Sequence, residues 1–391
     1  MAKIAILGFG TVGSGVYEVL CHNAASVSRR AGEPVEVKYI LDPKDFTGNP
    51  VEPLVVKNID VILQDPEIRV VVETIGGTRF AYPYVKACLE SGRSVCTSNK
   101  EMVATYGAEL LALAKEHDCA FLFEASVGGG TPIITPMHQC LAANVITEVE
   151  GIVNGTTNFI MDAMARQGAD FPAVLQRAQE LGYAEADPSA DIDGDDIRRK
   201  LTISANIAFD ALLREEDIPA FGIRTVTGAD VADFRAHGFT CKLLACAQRT
   251  ETGVAAYVEP ALVAEGEPEA AVPGNYNLIS CTGELLGRQS YFGQGAGRYP
   301  TAANVVQDCL DLLTGEDGFY TETARPMAVE ADAVAHPYYV RTQGADPWLK
   351  SVTADRWAGG VITGAVPVGQ MLRWAAAQRQ RDPGCFVAGI R

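Results

Sequence analysis

An α/β fold built on an open parallel sheet, followed by a mixed α/β region, is what three features of the 391-residue chain predict. The first is a glycine turn, "GFGTVG" at 8–13, set between an apolar β-rich run and an amphipathic stretch. The second is the alternation of short β-rich runs with helical patterns up to residue 130, the order that a parallel sheet requires. The third is a change to longer, strand-like alternation after residue 233. The length suggests two to three domains. Hydrophobic residues make up 48%, enough for a sizeable core, and no run of about 18 apolar residues predicts a membrane span.

The elements follow in order. "KIAIL" reads as the first strand, and Gly8, Gly10 and Gly13 form a GxGxxG turn opening a helix. The first glycine permits a tight turn, the second lets a pyrophosphate approach the backbone, and the third lets helix and strand pack closely. Free N–H groups at the helix start then face the phosphates. This is a Rossmann-type dinucleotide site, and Phe9, Thr11 and Val12 within the turn are assigned to the cofactor with the glycines. "VEVKYIL" is a strand ending at Asp42, whose carboxylate suits a ribose 2′-OH and so favours NAD. Asp42 lies 29 residues past Gly13, and Lys44 beside it would tolerate a 2′-phosphate, so the cofactor is NAD or NADP with a lean to NAD. A plain turn before Pro43 is the alternative role for Asp42. "VVVETIGG" (70–77) is a strand with a glycine pair at its end, of which Gly76 is also assigned to the cofactor, and a helix follows it. "SVCTSNK" leads into a long helix and places Lys100 at the carboxyl edge of the sheet, where such folds bind ligands. "CAFLFEAS" is the next strand.

"EASVGGGTPIITPM" (124–137) is a glycine-dense loop before a helix, and "EVEGIVNGTTNFIMDAMARQG" (148–168) is a strand, a turn and a helix. In that turn the N–H groups at Gly155 and Thr156 are placed to meet a carboxylate, although a plain N-cap explains them equally well. "DDIRRKLTISANIAF" reads as a helix on which Asp196 and Lys200, four apart, share a face; Asp193 or Asp195 is expected to cap it. The segment 276–313 gives strands, a glycine turn and a helix from Ala302, and is expected to return to the nucleotide domain. Residues 316–330 read as a linker, and 331–391 as strand, strand, helix, strand, with no helix expected between the first two strands.

The formal net charge of −17 disfavours nucleic acid and anionic membrane as partners. Ten cysteines without a CxxC pair, and an N-terminus without signal-peptide regions, suggest reduced thiols and a cytoplasmic location. The five histidines are scattered and no His/Cys group has transition-metal spacing.

Six motifs in this order, "GFGTVGSGV", "SNKEMVA", "EASVGGGTPII", "GIVNGTTNFIM", "LGYAEADPSADIDGDDIRRKLTI" and "GQGAGRYPTAANVVQD", make the chain resemble the homoserine dehydrogenases over roughly residues 1–315. The resemblance implies NAD(P)H-dependent reduction of aspartate 4-semialdehyde to homoserine. It implies a discontinuous Rossmann domain (1–130 with 293–315), a mixed α/β substrate and dimerisation domain (131–292), and a short ACT-like region (331–391). That last region is read either as a reduced regulatory module or as an oligomer contact, and the assembly as a homodimer or homotetramer. By resemblance Lys100 and Lys200 are the catalytic lysines, with Lys200 favoured as acid/base. Glu185 and Asp196 match residues that hold the substrate's amino group, and Gly182 and Gly297 match positions beside the cofactor. Glu124, Val127, Gly129 and Thr131 match a loop whose carbonyls bind sodium in the family.

The residues fit such chemistry. Hydride transfer to an aldehyde carbon builds charge on the oxygen, which needs a stabilising proton donor. Lysine is the natural donor where no histidine is placed for it, and an α-ammonium needs carboxylates. A different dehydrogenase of the same plan and a non-catalytic NAD(P) sensor are the alternatives; a sensor has no need of both lysines. A phosphorylating semialdehyde dehydrogenase would need an activated cysteine, and neither Cys96 nor Cys140 has an obvious histidine partner, although His138 is close in sequence to Cys140.

Overall fold

The computed structural model describes residues 1–315 and 324–391. It divides into two compact units, Met1–Gln139 with Gln294–Thr323, and Cys140–Gly293 with Ala324–Arg391.

The first unit holds six parallel strands: β1 (Ala2–Leu7), β2 (Val35–Leu41), β3 (Val55–Val56), β4 (Ile68–Glu73), β5 (Ser94–Thr97) and β6 (Phe121–Leu122). Their spatial order is β3-β2-β1-β4-β5-β6. Building proceeds outward from β1 in one direction and then from β4 in the other, and ligands of open α/β sheets bind at the carboxyl ends beside that reversal. β1 and β4 read as nearly unbroken apolar runs because both faces of a parallel sheet are covered. Each of their fully buried Val and Ile side chains contributes about 1.5–3 kcal/mol by leaving water. Helices Thr11–His22 and Arg298–Thr314 pack closely; a Cβ on Gly15 would lie 2.9 Å from the Arg298 carbonyl oxygen. That second helix starts at Arg298, four residues before the expected Ala302, because Pro300 sits in the first turn, where its missing N–H costs nothing. The expected strand 119–126 is confined to β6, and a short helix, Ala125–Gly128, follows.

The second unit carries a mixed sheet of β7 (Ile146–Ile152), β8 (Phe239–Arg249), β9 (Gly253–Ala264), β10 (Tyr276–Gly283), β11 (Gly287–Gln294), β12 (Ala328–Val329), β14 (Tyr338–Arg341), β15 (Thr353–Arg356), β16 (Val361–Thr363) and β18 (Phe386–Ile390). The order is β11-β10-β7-β8-β9-β18-β14-β16-β15, with β12 added to β9; β13 (Ala335–His336) pairs separately with β17 (Val366–Pro367). Two expectations change here. Of the linker 316–330, residues 316–323 lie outside the described residues, and the remainder includes β12. In the region 331–391, β18 pairs in parallel with β9 and antiparallel with β14, so these strands extend the second sheet. A six-residue helix, Pro347–Val352, also lies between β14 and β15, in a stretch where the sequence pattern predicts no helix. Its start signal is short: Asp346 accepts the Leu349 N–H, and Pro347 takes the first helical position. No helix among the described residues is long and apolar enough to cross a membrane.

Candidate active site

In the first unit the glycine turn is dictated by sterics. Gly8 has φ 87°, the left-handed region that glycine enters freely. A Cβ on Gly13 would stand 2.0 Å from the Gly8 carbonyl oxygen, so helix and turn close only over glycine. Gly10 is different. A Cβ there would meet nothing within 4 Å, so no protein atom demands glycine; the space suits a ligand lying against the backbone. Gly10 caps the helix without a side-chain bond, leaving the first-turn N–H groups, including those of Thr11 and Val12, directed at that space. The donors, the steric gap and the sheet reversal fit a dinucleotide pyrophosphate. Gly13→Ala is therefore expected to disrupt the unit itself, with a lower melting temperature. Gly10→Ala should keep the wild-type melting temperature but weaken NAD(P)H binding by about tenfold or more. Equal losses of stability in the two variants would contradict this division.

Asp42 is buried, and its two carboxylate oxygens accept the N–H of Phe9 at 2.7 Å and of Lys44 at 2.8 Å. It thus ties the glycine turn to the end of β2, a structural task alongside any contact with ribose. The Phe9 ring stands edge-on to Tyr17 and Phe46. Lys57 donates to the carbonyl oxygens of Asp42 and Lys44, bringing a second cation to this edge. Thr74 donates its hydroxyl to the Gly8 carbonyl at 2.8 Å, locking β4 to the turn. Gly76 follows with φ 81° and open space at its Cβ position. Lys100 is the first residue of the helix Lys100–Glu116, half-buried, behind the N-cap Asn99. Gly297, φ 123°, caps the helix Arg298–Thr314.

The loop matched to a sodium site lies in the same unit. Both Glu124 carboxylate oxygens are spent on backbone: Oε1 accepts Ile133 and Ile134 N–H at 2.7 and 3.0 Å, and Oε2 accepts Thr135 N–H at 2.6 Å. The carboxylate thereby holds the start of the helix Ile134–Leu141 by the favourable charge–dipole arrangement. Any cation contact from Glu124 falls to its carbonyl. Gly129 has φ 56°, and its carbonyl accepts Asn304 Nδ2–H at 2.7 Å; Val127 sits buried in the short helix. The Thr131 hydroxyl is buried without a hydrogen-bond partner among the described residues, an orphaned oxygen of the kind that a hard cation would satisfy.

In the second unit a buried polar cluster forms around Lys200. Its helix, Asp195–Phe209, presents Ile197, Leu201 and other apolar residues to the sheet and buries Asp196 and Lys200 with them. Lys200 is 7% exposed and Asp196 5%. Lys200 Nζ lies 2.9 Å from Asp196 Oδ2 and donates to the Val153 carbonyl at 2.7 Å. Asn154 caps the helix Gly155–Gln167 through Oδ1, which accepts Thr157 N–H at 2.9 Å. Its Nδ2 donates to Asp196 Oδ2 at 2.8 Å and to Asp191 Oδ1 at 2.7 Å. Burial raises the Asp191 pKa above the ordinary carboxylate range, the Asn154 bond opposes that rise, and the Asp196 charge adds to it. Asp191 is thus part of the cluster. The short helix Ser189–Ile192 brings it there, which charge spacing alone does not reveal.

Thr156 donates its hydroxyl to the Tyr183 carbonyl at 2.5 Å, and a Cβ on Gly155 would lie 2.7 Å from the Asn275 carbonyl oxygen. The helix they open is braced from below. Asn158 donates to the carbonyls of Gly274 and Tyr276, and the fully buried Lys242 donates to Asn158 Oδ1 at 2.8 Å. Gly182 has φ 74° with open space around it, and Glu185 is exposed, with its carbonyl accepting Gln179 Nε2–H. The cap expectation at 193–195 is corrected: Gly194, φ 95°, is the N-cap, while Asp193 pairs with Arg224 at 2.5 Å and Asp195 with Arg198 at 2.7 Å. Arg198 therefore serves the surface of the helix. Cys96 is fully buried, and burial with its neighbour Cys309 pushes its thiol well above the usual range, the opposite of an activated nucleophile.

Comparison with known proteins agrees with this geometry. The family model described as homoserine dehydrogenase matches residues 132–310, and that described as homoserine dehydrogenase, NAD binding domain, matches residues 8–124. The chain is 40% identical over 359 residues to a homoserine dehydrogenase of Pseudomonas aeruginosa, covering 88% of this chain and 82% of that protein. It is 39% identical over 315 residues to one of Bacillus subtilis, covering 80% and 72%. Among solved structures, a homoserine dehydrogenase from Thiobacillus denitrificans aligns over 100% of this chain and 98% of its own, with TM-score 0.88 and 32% identity. A hyperthermophilic archaeal homoserine dehydrogenase mutant in complex with NADPH aligns over 80% of this chain and 98% of its own, with TM-score 0.67 and 27% identity.

Proposed function

The chain belongs to the homoserine dehydrogenase family, an NAD(P)-dependent oxidoreductase acting on a CH–OH group, and from that premise we propose how its own residues divide the work. The observation that carries the proposal is the buried Lys200, held by the Val153 carbonyl and the Asp196 carboxylate. NAD(P)H, when bound, supplies the hydride that turns the aldehyde of aspartate 4-semialdehyde into the alcohol of homoserine. Lys200 gives the proton to the carbonyl oxygen, and takes it back in the oxidative direction. Lys100 adds positive charge at the growing oxyanion and contacts the cofactor. Asp196, with Glu185, receives the substrate's α-ammonium, and Asp191 joins them through Asn154. The N–H groups of Gly155 and Thr156 meet the α-carboxylate at a helix start. Gly8, Phe9, Gly10, Thr11, Val12, Gly13, Gly76, Gly182 and Gly297 line the cofactor.

Asp42 supports NAD through the ribose, while Lys44 and Lys57 at the same edge suit the extra phosphate of NADP. The carbonyls of Glu124, Val127 and Gly129, with Thr131, would hold sodium and fix the glycine loop. Free thiols at all ten cysteines support a cytoplasmic, reducing location. The charge of −17 supports a protein without nucleic-acid partners. Leu285, 89% exposed, with Leu286 and Phe292 on the β10–β11 hairpin, supports self-association as a homodimer or homotetramer.

Initial rates of homoserine oxidation with NAD and with NADP, in sodium and in a bulky-cation buffer, test these assignments. Turnover with both cofactors, a higher kcat/KM with NAD and a gain from sodium are expected. The reverse cofactor order would remove the ribose role of Asp42. Inhibition by added threonine would make 331–391 regulatory, and indifference to it would leave an oligomer contact.

A further inference from the structure

Glu73 ends β4 and is fully buried. Its Oε1 accepts the backbone N–H of Ile75 at 2.6 Å and of Gly76 at 3.3 Å. Its Oε2 accepts the Thr97 hydroxyl at 2.6 Å, across from the end of β5. Thr97 Oγ1 in turn accepts the Asn99 N–H at 2.9 Å. Asn99 accepts Met102 N–H at 3.2 Å, capping the helix that begins at Lys100, and donates Nδ2–H to the Gly77 carbonyl at 2.7 Å. One carboxylate therefore fixes Ile75 and Gly76 directly, and the start of the Lys100 helix through a single hydroxyl.

A buried carboxylate is an expensive way to end a strand. Burial pushes the Glu73 pKa up, against the bonds from Thr97, Ile75 and Gly76. The chemistry explains the choice of residue. Only an ionised carboxylate accepts on both oxygens with no donor of its own, so it takes two N–H groups on one side and a hydroxyl on the other. A neutral amide would turn a donor toward one of them.

We propose that Glu73 is a positioning residue for the dehydrogenase reaction, setting the cofactor loop at Gly76 and, through Thr97 and Asn99, the placement of Lys100. This rests on the roles given above to Gly76 and Lys100. It assigns two separable consequences to one group: cofactor affinity follows the Ile75–Gly76 bonds, and turnover follows the Thr97 bridge.

The test compares Glu73→Met, Thr97→Val and Lys100→Ala in the full-length enzyme, measuring kcat with homoserine and the NAD(P)H dissociation constant by nucleotide fluorescence. Glu73→Met is expected to weaken NAD(P)H binding about tenfold and to lower kcat as well. Thr97→Val is expected to lower kcat about tenfold while the dissociation constant stays within about twofold. A Thr97→Val enzyme that loses both properties together, or neither, overturns the link. So does a Glu73→Met enzyme with wild-type NAD(P)H affinity. If Glu73→Met fails to fold, the Thr97→Val split decides. Lys100→Ala separates the premises: normal turnover there removes the role of Lys100, and the cofactor arm is then judged on the dissociation constant of Glu73→Met alone.

Discussion

Lys200→Ala is expected to lower kcat by about 10²–10⁴-fold, the contribution typical of a positioned acid/base group, with the NAD(P)H dissociation constant unchanged. The role proposed for Lys200 is at the substrate oxygen, whereas the pyrophosphate is assigned to the glycine turn, so cofactor affinity is not expected to follow it. Two effects combine in the loss. The proton source goes, and Asp196 keeps its Asn154 bond but loses the cation 2.9 Å away. Lys200→Arg separates them. A guanidinium keeps the charge beside Asp196 but does not release a proton at working pH, so its kcat should stay as low as that of the alanine variant. Arg198→Ala, on the same helix but paired to Asp195 at the surface, is the control for general loss of positive charge and should stay near wild type. Turnover near normal in Lys200→Ala would end the proton-donor role, and recovery in Lys200→Arg would reduce it to electrostatics.

The parts of this site that sequence made legible are those in which backbone geometry and residue type are bound together. GxGxxG is read because Gly8 and Gly13 can be nothing else: one needs a positive φ, and the other leaves no room for a Cβ. Asp196 and Lys200 are read because helical spacing alone puts them on one face. Glu73 is hidden at the end of an apolar strand, where a single acid looks like a strand terminus. Asp191 is hidden because its position depends on a four-residue helix and on the reach of a carboxamide from another element. Glu124 is half-legible. Its place in the glycine loop is plain, but the use of both its oxygens on the backbone of 133–135 is a tertiary fact. The tail follows the same rule. Its strands are apolar runs, but their attachment to β9 and β14 is a pairing choice that local pattern does not encode.

Asn154→Ala should raise the KM for homoserine by about tenfold or more and move the acid limb of kcat/KM to higher pH, because the buried Asp196 and the half-buried Asp191 lose one donor each. The sign follows from Asp191. Burial already raises its pKa, and the Asn154 bond is the first force pulling it back. Without that bond the pKa rises further. A substrate ammonium needs the ionised carboxylate, so binding is lost as pH falls through the folded-state pKa, and a higher pKa begins that loss at a higher pH. At alkaline pH, where the acid is ionised in both proteins, the difference should shrink, and kcat should change less than KM. Asn154→Ser separates capping from carboxylate contact. Serine still accepts an N–H at the helix start but is too short to donate to Asp191 and Asp196 as the carboxamide does, so its pH profile should follow the alanine variant while its melting temperature follows wild type. An acid limb unmoved in both variants would mean that Asp191 takes no part in holding the ammonium, leaving Asp196 and Glu185 to hold it alone.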